Sequence, residues 1–501
     1  MQSPTTVDSS SKTPSYSRTD WQGGYRSLKD EYEYWIDDVE GCIPPELSGT
    51  LFRNGPGMLD VNGTPIHHPF DGDGMVCAIA FDQGRAHFRN RHVKTEGFLK
   101  EQAAGKILYR GVFGTQRPGG WLANMFDLQF KNIANTNVIY WGGKLLALWE
   151  AAKPHRLDPA TLETLGLDDL DGAVKPGGAF AAHPWVDPAC VWDEGNPHLV
   201  NFSIKPGLST TITIYELNTD GRVIHQHDHS VPGFAFMHDF AITPNYCIFF
   251  QAPIRFNPIP AALGMKTPGQ CLDFMAQEPT QIIIIPRHGS APVKTISAQV
   301  GFVFHHANAW ERETGELEIC SICYSGFPKI EPEDNYLDVD FDAYPPGQLW
   351  RFRINLEAET VQGTKLDERS CEFPTVHPDW VGRPSRFLFM SAAHSAIGNA
   401  PLQAIWKVDL ETGDRQLWSA APRGFISEPV FVPRSHGSSQ PDNVAEDDGW
   451  LMVMVYNAER DRSEVVILDA RDLNRGAIAR LGLKHHVPYG LHGSFTPKVF
   501  A

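Results

Sequence analysis

The sequence predicts an all-β protein, a seven-bladed β-propeller with helices and loops capping its top face. Glycine (44) and proline (38) are more frequent than average in the 501 residues, which indicates many turns and therefore many short strands. Strand-like runs that end in turn residues recur along the chain at intervals of 54 to 76 residues. Helical periodicity is scarce. A closed ring of such units leaves only short, protected strand edges.

The repeat is marked by seven turn residues, each at the end of a short strand-like run. These markers are Asp82, Asp158, Asn218, Arg287, Asn355, Asp409 and Asp469. An interval of this length holds four or five short strands, which is the content of one propeller blade. An array of β-sandwiches is the alternative architecture.

Two apolar segments interrupt the β pattern. Residues 120–132 carry apolar side chains at spacings that suit an amphipathic helix. Residues 258–274 suggest a second short apolar insertion. Both are predicted as insertions on the top face.

The domain organisation is predicted to be simple. Residues 1–20 are polar and read as a flexible tail, residues 21–501 form a single propeller domain, and residues 434–448 form a surface loop. The first residues lack an apolar core of the kind that secretion signals have, and no apolar run approaches the roughly 20 residues of a membrane span. These features favour a cytoplasmic protein.

Charge and cysteine usage exclude some functions. Acidic residues outnumber basic ones by 60 to 43, a formal net charge of −17, so an electrostatic nucleic-acid binder is not expected. The eight cysteines are scattered, as expected for reduced, buried thiols. Cys320 and Cys323 form a CxxC pattern inside a strand-like run, which favours core packing over zinc binding.

Four of the 20 histidines lie in strongly apolar or Gly/Pro-containing surroundings: His183, His238, His305 and His492. They are 55, 67 and 187 residues apart, which corresponds to about one, one and three blades. One histidine per blade near the inner strand would point toward a common axis. A lone histidine in an apolar run is otherwise more often a core residue with satisfied hydrogen bonds.

Several ordered motifs of the chain resemble those of the carotenoid cleavage oxygenases. They are RNGP (53–56), HPFDGDGM (68–75), FHHANAW (304–310), CEFP (371–374), EPVFVPR (428–434), EDDG (446–449) and LHG (491–493). The segments IANTN (133–137) and LALWE (146–150) extend the similarity, which covers roughly residues 20 to 496. Any one motif would be weak, but their combination and order are specific.

The resemblance implies a ferrous ion, Fe²⁺, on the propeller axis, held by the four histidines and by no carboxylate. In the 304–310 motif it assigns the ligand role to His305 and not to His306, and it leaves His485 and His486 outside the ligand set. Three glutamates, Glu150, Glu372 and Glu428, are implied to orient the imidazoles, which agrees with the need of a ligating imidazole for an acceptor at its other nitrogen. Thr136 is implied to crowd one open position on the metal.

An apolar channel with flat walls is expected for a long polyene substrate. Aromatic residues near the motifs are the candidates for its lining: Phe70, Phe113, Trp149, Phe236, Phe304, Tyr324 and Phe373. Four of them stand within two residues of a proposed iron ligand or glutamate. Any single one of them would more often fill the core, but as a set they suit the lining of a cavity.

The resemblance implies a non-haem iron dioxygenase that uses O₂ to cleave a C=C bond of an apocarotenoid into two carbonyl products, with retinal formed by cleavage at the 15,15′ bond. The alternatives are a stilbene-cleaving oxygenase, a non-redox isomerohydrolase on the same scaffold, and a propeller that serves only as a binding scaffold. Because carotenoids partition into membranes, residues 121–130 and 254–265 are expected to dip into one leaflet, giving a cytoplasmic protein at the membrane periphery. The sequence does not indicate an oligomeric state.

Overall fold

The computed structural model describes residues 16–127, 129–207, 209–289, 291–327, 329–434 and 445–501. In this part of the chain, seven sheets of four to six strands and two small two-stranded sheets are present. The seven larger sheets follow one another along the sequence as blades, which confirms the predicted seven-bladed propeller.

The N-terminal residues supply strands to the last and first blades and to one small sheet: β1 (Glu33–Trp35), β2 (Asp38–Gly41), β3 (Gly49–Met58), β4 (Asp60–Val61), β5 (Thr64–Pro65), β6 (Asp73–Asp82) and β7 (Arg85–His92). The second blade comprises β8 (Asn137–Trp141), β9 (Lys144–Leu148), β10 (His155–Leu157) and β11 (Thr164–Leu167). The third comprises β12 (Trp185–Asp187), β13 (His198–Lys205), β14 (Ser209–Leu217) and β15 (Val223–Pro232).

The fourth blade carries a two-stranded insertion and spans β16 (Ala241–Ile242), β17 (Tyr246–Gln251), β18 (Ile254–Phe256), β19 (Leu272–Phe274), β20 (Thr280–Pro286) and β21 (Lys294–Ala298). The fifth comprises β22 (Phe302–Glu311), β23 (Leu317–Tyr324), β24 (Gln348–Asn355) and β25 (Thr360–Lys365). The sixth comprises β26 (Cys371–Thr375), β27 (Phe387–Ala393), β28 (Leu402–Asp409) and β29 (Arg415–Ser419). The seventh blade and the chain's last strand are formed by β30 (Gly424–Ile426), β31 (Val430–Pro433), β32 (Gly449–Asn457), β33 (Arg462–Asp469), β34 (Ala477–Gly482) and β35 (Gly493–Thr496).

The ring is closed at both ends of the chain. Strand β35 pairs with β3, with Thr496 opposite Thr50, so the C-terminal residues add an edge strand to the first blade. Strand β2 pairs with β34, with Asp38 opposite Gly482, so the N-terminal residues add an edge strand to the seventh blade. The first and seventh blades therefore each combine strands from early and late parts of the described chain, which closes the ring.

The predicted turn markers all occupy the same structural position. Each lies at or directly after the end of the third strand of its blade, in strands β6, β10, β14, β20, β24, β28 and β33. The interval between markers is therefore one blade. The apolar residues of neighbouring blades pack between the sheets, and Trp406 and Trp450 are among the largest fully buried side chains.

Four short helices are present among the described residues, and only α3 and α4 lie in the two segments that the sequence predicts: α1 (Arg18–Gln22), α2 (Glu96–Ala104), α3 (Gly120–Asn124) and α4 (Pro258–Ala262). Single 3₁₀ turns are formed by Pro69–Asp71, Gly269–Cys271, Tyr336–Asp338, Phe341–Ala343, Pro378–Trp380 and Leu473–Arg475. The expected tail boundary at residue 20 falls inside α1, and residues 1–15 lie outside the described residues.

Both apolar segments form only short helices, because the local backbone conformation ends each helix early. The helix predicted over residues 120–132 stops at Asn124, because Met125 is extended and Phe126 has a φ of 58°; Leu128 lies outside the described residues. In the 258–274 segment, α4 is followed by Gly264 with a φ of 71°, and the segment ends in β19 rather than in a helix. Positive φ suits glycine and breaks a right-handed helix.

All eight cysteines are free. Cys320 and Cys323 are buried in β23, as predicted. Cys42 is exposed because it follows the edge strand β2, so the prediction of buried thiols is wrong for this residue.

Arg434 and Asp448 bracket the predicted 434–448 loop and form an ion pair, while residues 435–444 lie outside the described residues. In the described part of the chain, none of the helices has the length and apolarity that crossing a bilayer requires.

Candidate metal centre

Four imidazoles converge at the middle of the ring. His305 lies in β22, and His183, His238 and His492 lie one to three residues before β12, β16 and β35. One ring nitrogen from each histidine falls within 4.8 Å of the corresponding nitrogen of every other. Each histidine comes from the edge strand of a different blade, so the four edges face a common axis.

The remaining three blades each contribute one glutamate. Glu150 follows β9 of the second blade, Glu372 lies in β26 of the sixth, and Glu428 lies between β30 and β31 of the seventh. The seven side chains therefore come from seven different blades. This distribution explains why the sequence separates them so widely, since each residue belongs to a different blade of the ring.

Each glutamate is paired with one imidazole through the histidine Nδ1. The distances are 2.9 Å from His238 Nδ1 to Glu150 Oε1, 2.5 Å from His305 Nδ1 to Glu372 Oε2, and 2.8 Å from His492 Nδ1 to Glu428 Oε1. A carboxylate that accepts a hydrogen bond from Nδ1–H fixes the tautomer in which the Nε2 lone pair is free. The three imidazoles are therefore oriented as ligands.

His183 is the fourth imidazole, and it has no carboxylate partner among the described residues. Burial, together with the three neighbouring histidines, holds the pKa of His183 well below its usual range, so this ring is neutral. The Nε2 atoms of His183 and His305 are buried and have no hydrogen-bond partner. Buried nitrogens left without a partner are rare, and a metal ion in their midst would satisfy them.

The charges around the imidazoles also suit a divalent ion. Burial favours a raised pKa for the carboxyl groups of Glu150, Glu372 and Glu428, but the adjacent imidazoles outweigh it and all three pKa values are lowered. Arg53 adds one buried positive charge, with Nη1 at 2.5 Å from Glu428 Oε2. A divalent ion together with Arg53 would neutralise the three carboxylates. The donor set of four imidazole nitrogens with three outer carboxylates fits a transition metal.

The outer oxygens of the glutamates are held in turn by other groups. Tyr324 donates its hydroxyl to Glu372 Oε1 at 2.8 Å, and the backbone N–H of Gly493 donates to Glu428 Oε2 at 2.9 Å. Arg53 also donates to the carbonyl of Leu491 at 2.9 Å, which ties the segment before His492 to β3. These contacts fix the carboxylates that orient the rings.

Thr136 lies beside two of the seven residues. Its carbonyl accepts the backbone N–H of His492 at 3.1 Å, and its Oγ1 lies 3.1 Å from Asn135 Oδ1 and 3.4 Å from Glu150 Oε2. The side chain is buried. The structure therefore places Thr136 beside the His492–Glu428 and His238–Glu150 pairs.

The predicted aromatic lining divides into two groups. Phe70, Phe113 and Trp149 line one cavity, with the rings of Phe70 and Phe113 5.5 Å apart. Phe236, Phe304 and Tyr324 belong to a cluster of aromatic rings in which Phe304 lies 5.6 Å from His238. Phe373 lies 5.5 Å from His305 and 5.3 Å from His492. Of the seven aromatic residues, Phe304 and Phe373 are thus in ring contact with the converging histidines.

Phe373 is held in an unusual backbone conformation, with a φ of 53°. It follows Glu372 at a register shift in the pairing of β26 with β27. Its N–H donates to Glu372 Oε2 at 2.6 Å, the oxygen that also faces His305. Positive φ in a bulky residue is costly and is found where a site requires it. Here it turns the ring toward the two histidines.

A lysine also lines the cavity. Lys131 Nζ lies 2.6 Å from Asp73 Oδ2 and 2.5 Å from Glu101 Oε2, and all three side chains are nearly fully buried. Burial favours a lowered pKa for Lys131, but the two carboxylates outweigh it and the pKa is raised. This ammonium is therefore charged and already engaged by two partners.

The neighbouring histidines are directed elsewhere. His306 Nδ1 lies 2.8 Å from Ser321 Oγ, and its backbone N–H donates to Asp239 Oδ2. His485 stacks on Tyr32 with ring centroids 4.0 Å apart. Neither is part of the converging set, in agreement with the expectation that His305 rather than His306 faces the axis.

A second group of possible ligand atoms, Cys190, His198 and Glu216, is also compact. It surrounds Arg287, whose Nε and Nη2 lie 2.9 and 3.0 Å from the Glu216 oxygens. A buried guanidinium at this position repels a cation, so the group is an ion-pair network.

The sequence analysis missed Arg53, and it placed Tyr324 only in the channel wall. Arg53 lies within the RNGP motif. A buried arginine in a strand requires an acidic partner, and this requirement could have identified Arg53 as part of the site. No sequence pattern indicates the contact of Tyr324 with Glu372, because the two residues are brought together by the packing of neighbouring blades.

Comparison with known proteins gives consistent results. The family model described as retinal pigment epithelial membrane protein matches residues 25–497. Apocarotenoid-15,15′-oxygenase of Synechocystis sp. is 53% identical over 489 residues, covering 97% of this chain and 98% of the relative. Isoeugenol monooxygenase of Pseudomonas nitroreducens is 31% identical over 476 residues, covering 92% and 94%. The crystal structure of cobalt-substituted Synechocystis apocarotenoid oxygenase superposes with a TM-score of 0.94 at 53% identity, covering 97% of this chain and 100% of that one.

Proposed function

The chain belongs to the family of retinal pigment epithelial membrane protein and the carotenoid oxygenases, and on this basis we propose that it is an iron(II)-dependent dioxygenase of apocarotenoids. The reaction is cleavage of the 15,15′ double bond by O₂ to give two carbonyl products, one of them retinal. The observation that carries the proposal is the set of seven side chains at the axis, four imidazoles and three carboxylates, one from each blade.

Ferrous iron at this centre would supply the binding and activation of dioxygen. His183, His238, His305 and His492 are its proposed ligands. Glu150, Glu372 and Glu428 keep the protons on Nδ1 of their imidazoles, so that the Nε2 lone pairs stay directed at the metal. Arg53 and Tyr324 hold two of these carboxylates and limit their movement.

The aromatic residues position the substrate and exclude water. Phe304 and Phe373 stand directly beside ligand histidines, and Trp149, which precedes Glu150, is in the wall of the cavity with Phe70 and Phe113. Flat, apolar walls suit a rigid polyene. Thr136, next to Glu150 and His492, is proposed to restrict one side of the metal.

The test is direct. Iron-loaded protein is incubated with a series of apocarotenals under air, and the products are identified by mass. The proposal expects two aldehydes, retinal among them, with consumption of O₂. Conversion of the substrate without consumption of O₂ would select the isomerohydrolase alternative, and the absence of any turnover by iron-loaded protein would contradict the proposal.

A hydroxystilbene is expected not to be cleaved. Activation of a phenol requires a side chain free to take or share its proton, but Lys131 is engaged by Asp73 and Glu101, and Tyr324 donates to Glu372. The measurement is product formation from a 4-hydroxystilbene in parallel with an apocarotenal. Turnover of the stilbene at a rate equal to or above that of the apocarotenal would contradict this assignment.

A membrane-contact surface is proposed at the tips of α3 and α4. Large apolar side chains are exposed there: Trp121, Leu122, Phe126, Ile259, Leu263 and Met265. The two segments are adjacent, since the N–H of Phe126 donates to the carbonyl of Ala262 at 2.8 Å. An apolar patch of this kind suits the uptake of a lipid-soluble substrate from one leaflet by a cytoplasmic protein at the membrane periphery.

The triple substitution Leu122→Ser, Phe126→Ser and Ile259→Ser is expected to reduce binding to neutral phosphatidylcholine vesicles by at least about tenfold, because burial of each large side chain contributes about 1.5–3 kcal/mol. Binding is measured by vesicle flotation. The substitution Ile224→Ser, at another exposed apolar residue, is the control and should bind like the wild type. Equal flotation of the triple variant and the control would refute the assignment of this surface.

A further inference from the structure

The four imidazoles at the axis are not all oriented in the same way. Three of them have a glutamate at Nδ1, whereas His183 has no carboxylate partner among the described residues. The Nε2 atom of His183 is nevertheless buried and belongs to the converging set. A ligand that lacks an acceptor at its second ring nitrogen must be held in place by other contacts. The contacts of the backbone around His183 meet this need.

The peptide unit before His183 is held by an asparagine of the second blade. Asn137, the first residue of β8, donates its Nδ2–H to the carbonyl of Ala182 at 2.7 Å. Ala182 is fully buried, and a buried carbonyl requires a partner. This carbonyl and the backbone nitrogen of His183 lie in one planar peptide unit. The hydrogen bond therefore fixes the plane from which the His183 side chain projects.

The residues on either side of this peptide unit add to the constraint. Asn201 of β13 is fully buried and donates its Nδ2–H to the carbonyl of Ala181 at 2.7 Å. The N–H of Ala181 donates to the carbonyl of Phe202 at 2.8 Å. Pro184 follows His183 and restricts it to extended backbone conformations. The backbone of His183 is thus constrained both before and after the histidine.

The amide group of Asn137 is itself fixed in orientation. Its Oδ1 accepts the N–H of Val138 at 2.8 Å, so Nδ2, the donor end, is the end that faces Ala182. The backbone carbonyl of Asn137 accepts Nδ2–H of Asn54 at 2.8 Å. Because both ends of the side chain and the carbonyl are engaged, Asn137 can hold the Ala182 carbonyl at a defined position.

Asn54 connects Asn137 to a second ligand segment. Asn54 is buried in β3, where its carbonyl accepts the N–H of Leu491 at 2.9 Å and its N–H donates to the carbonyl of His492 at 2.8 Å. The second blade, which contains Asn137, lies between the first and third blades, whose inner strands are β35 and β12. Two hydrogen-bonded asparagines therefore link the segments of His183 and His492, whose rings lie 4.4 Å apart.

We propose that Asn137 is the positioning residue of His183, and that it does through the backbone what the glutamates do at the other three imidazoles. The inference rests on the proposed iron centre. Removal of Nδ2 leaves the Ala182 carbonyl without its donor and frees the peptide unit to rotate, which turns the His183 ring away from the shared point. Partners that orient a metal ligand contribute about 10- to 100-fold to metal affinity, and a loss in this range is expected.

The test compares wild type, Asn137→Leu and the control Asn399→Leu. Asn399 is half-buried between β27 and β28, donates Nδ2–H to the carbonyl of Tyr344 at 3.3 Å and accepts the Ser370 hydroxyl at 2.9 Å. The control therefore also removes an amide that binds a backbone carbonyl. Iron affinity is measured by competition with a chelator, and the imidazoles on iron are counted by X-ray absorption of iron-saturated protein.

We expect four imidazoles on iron in wild type and control. In Asn137→Leu we expect about three, with iron bound at least about tenfold more weakly. A purely structural role would lower the stability of the Asn137 variant but leave four imidazoles on iron and the affinity of the control, and this result would overturn the assignment while the iron centre stands. Absence of iron binding by wild type would refute the proposed centre, and the assignment with it.

A second variant covers a failure of Asn137→Leu to fold, which circular dichroism would reveal. Asn137→Asp keeps the shape of the side chain and the acceptor for the N–H of Val138, and it removes the donor to Ala182. Its added negative charge favours binding of a cation. Weaker iron binding by this variant would therefore support the positioning role, and binding equal to or tighter than that of the control would overturn it.

Discussion

Replacing His238 with alanine is expected to remove bound iron and to abolish cleavage of apocarotenals, while the β-rich fold is kept. The substitution deletes one of the four converging nitrogens and leaves Glu150 without the imidazole that it orients. Loss of even an outer partner of a metal ligand weakens binding by about 10- to 100-fold, so loss of the ligand itself should exceed that range. Iron per chain, product formation and circular dichroism are the measurements.

The matched control is His394→Ala, which changes an exposed histidine whose Nδ1 lies 2.9 Å from Ser419 Oγ. It should keep iron and activity. Full iron content and full cleavage in the His238 variant would contradict the ligand assignment. An unfolded His238 variant is distinguished by its circular dichroism, and His238→Gln then provides the same test with a better volume match.

Replacing Arg53 with methionine is expected to lower the free energy of unfolding by about 3–5 kcal/mol and to weaken iron binding, because breaking a buried ion pair leaves an uncompensated charge. Glu428 then loses the guanidinium that pairs with it, and the carbonyl of Leu491 loses a donor. Both changes act on the segment that carries His492. Urea unfolding and iron content measure the two effects.

Arg460→Met is the control for this prediction. Arg460 pairs with Glu40 on the surface, with both side chains about half exposed, and pairs of that kind contribute about 0–1 kcal/mol. The Arg53 variant should be clearly less stable than this control. Equal stability and equal iron content of the two variants would show that Arg53 does not support the centre.

Much of the fold was predictable from the sequence because turn chemistry is local. Asp82, Asp409 and the other markers end the third strand of each blade, and one such residue per blade is enough to count blades. The helices were less predictable. Apolar periodicity over residues 120–132 suits a helix, but the positive φ of Phe126 and the packing of Gly264 against this segment are tertiary features that no local pattern reveals.

The site was predictable in part. Histidine spacing in units of a blade pointed to a common axis, and the structure brings those four imidazoles together. Residues alone did not identify the glutamates, whose assignment rested on family resemblance. The blade-by-blade distribution emerges only when the edges of all seven sheets are known.

Asn137 illustrates a different limit. It lies in the IANTN segment, but no pattern in the sequence indicates which carbonyl its amide group reaches. Only the structure shows that the partner is Ala182, the residue before His183.

Anomalous diffraction at the iron absorption edge, from crystals of the iron-loaded protein, tests the ligand assignment most directly. One strong peak is expected at the axis, coordinated by Nε2 of His183, His238, His305 and His492, with the three glutamates hydrogen-bonded to Nδ1–H groups and not bound to the metal. A peak away from the axis, or an iron bound directly by Glu150, Glu372 or Glu428, would contradict it.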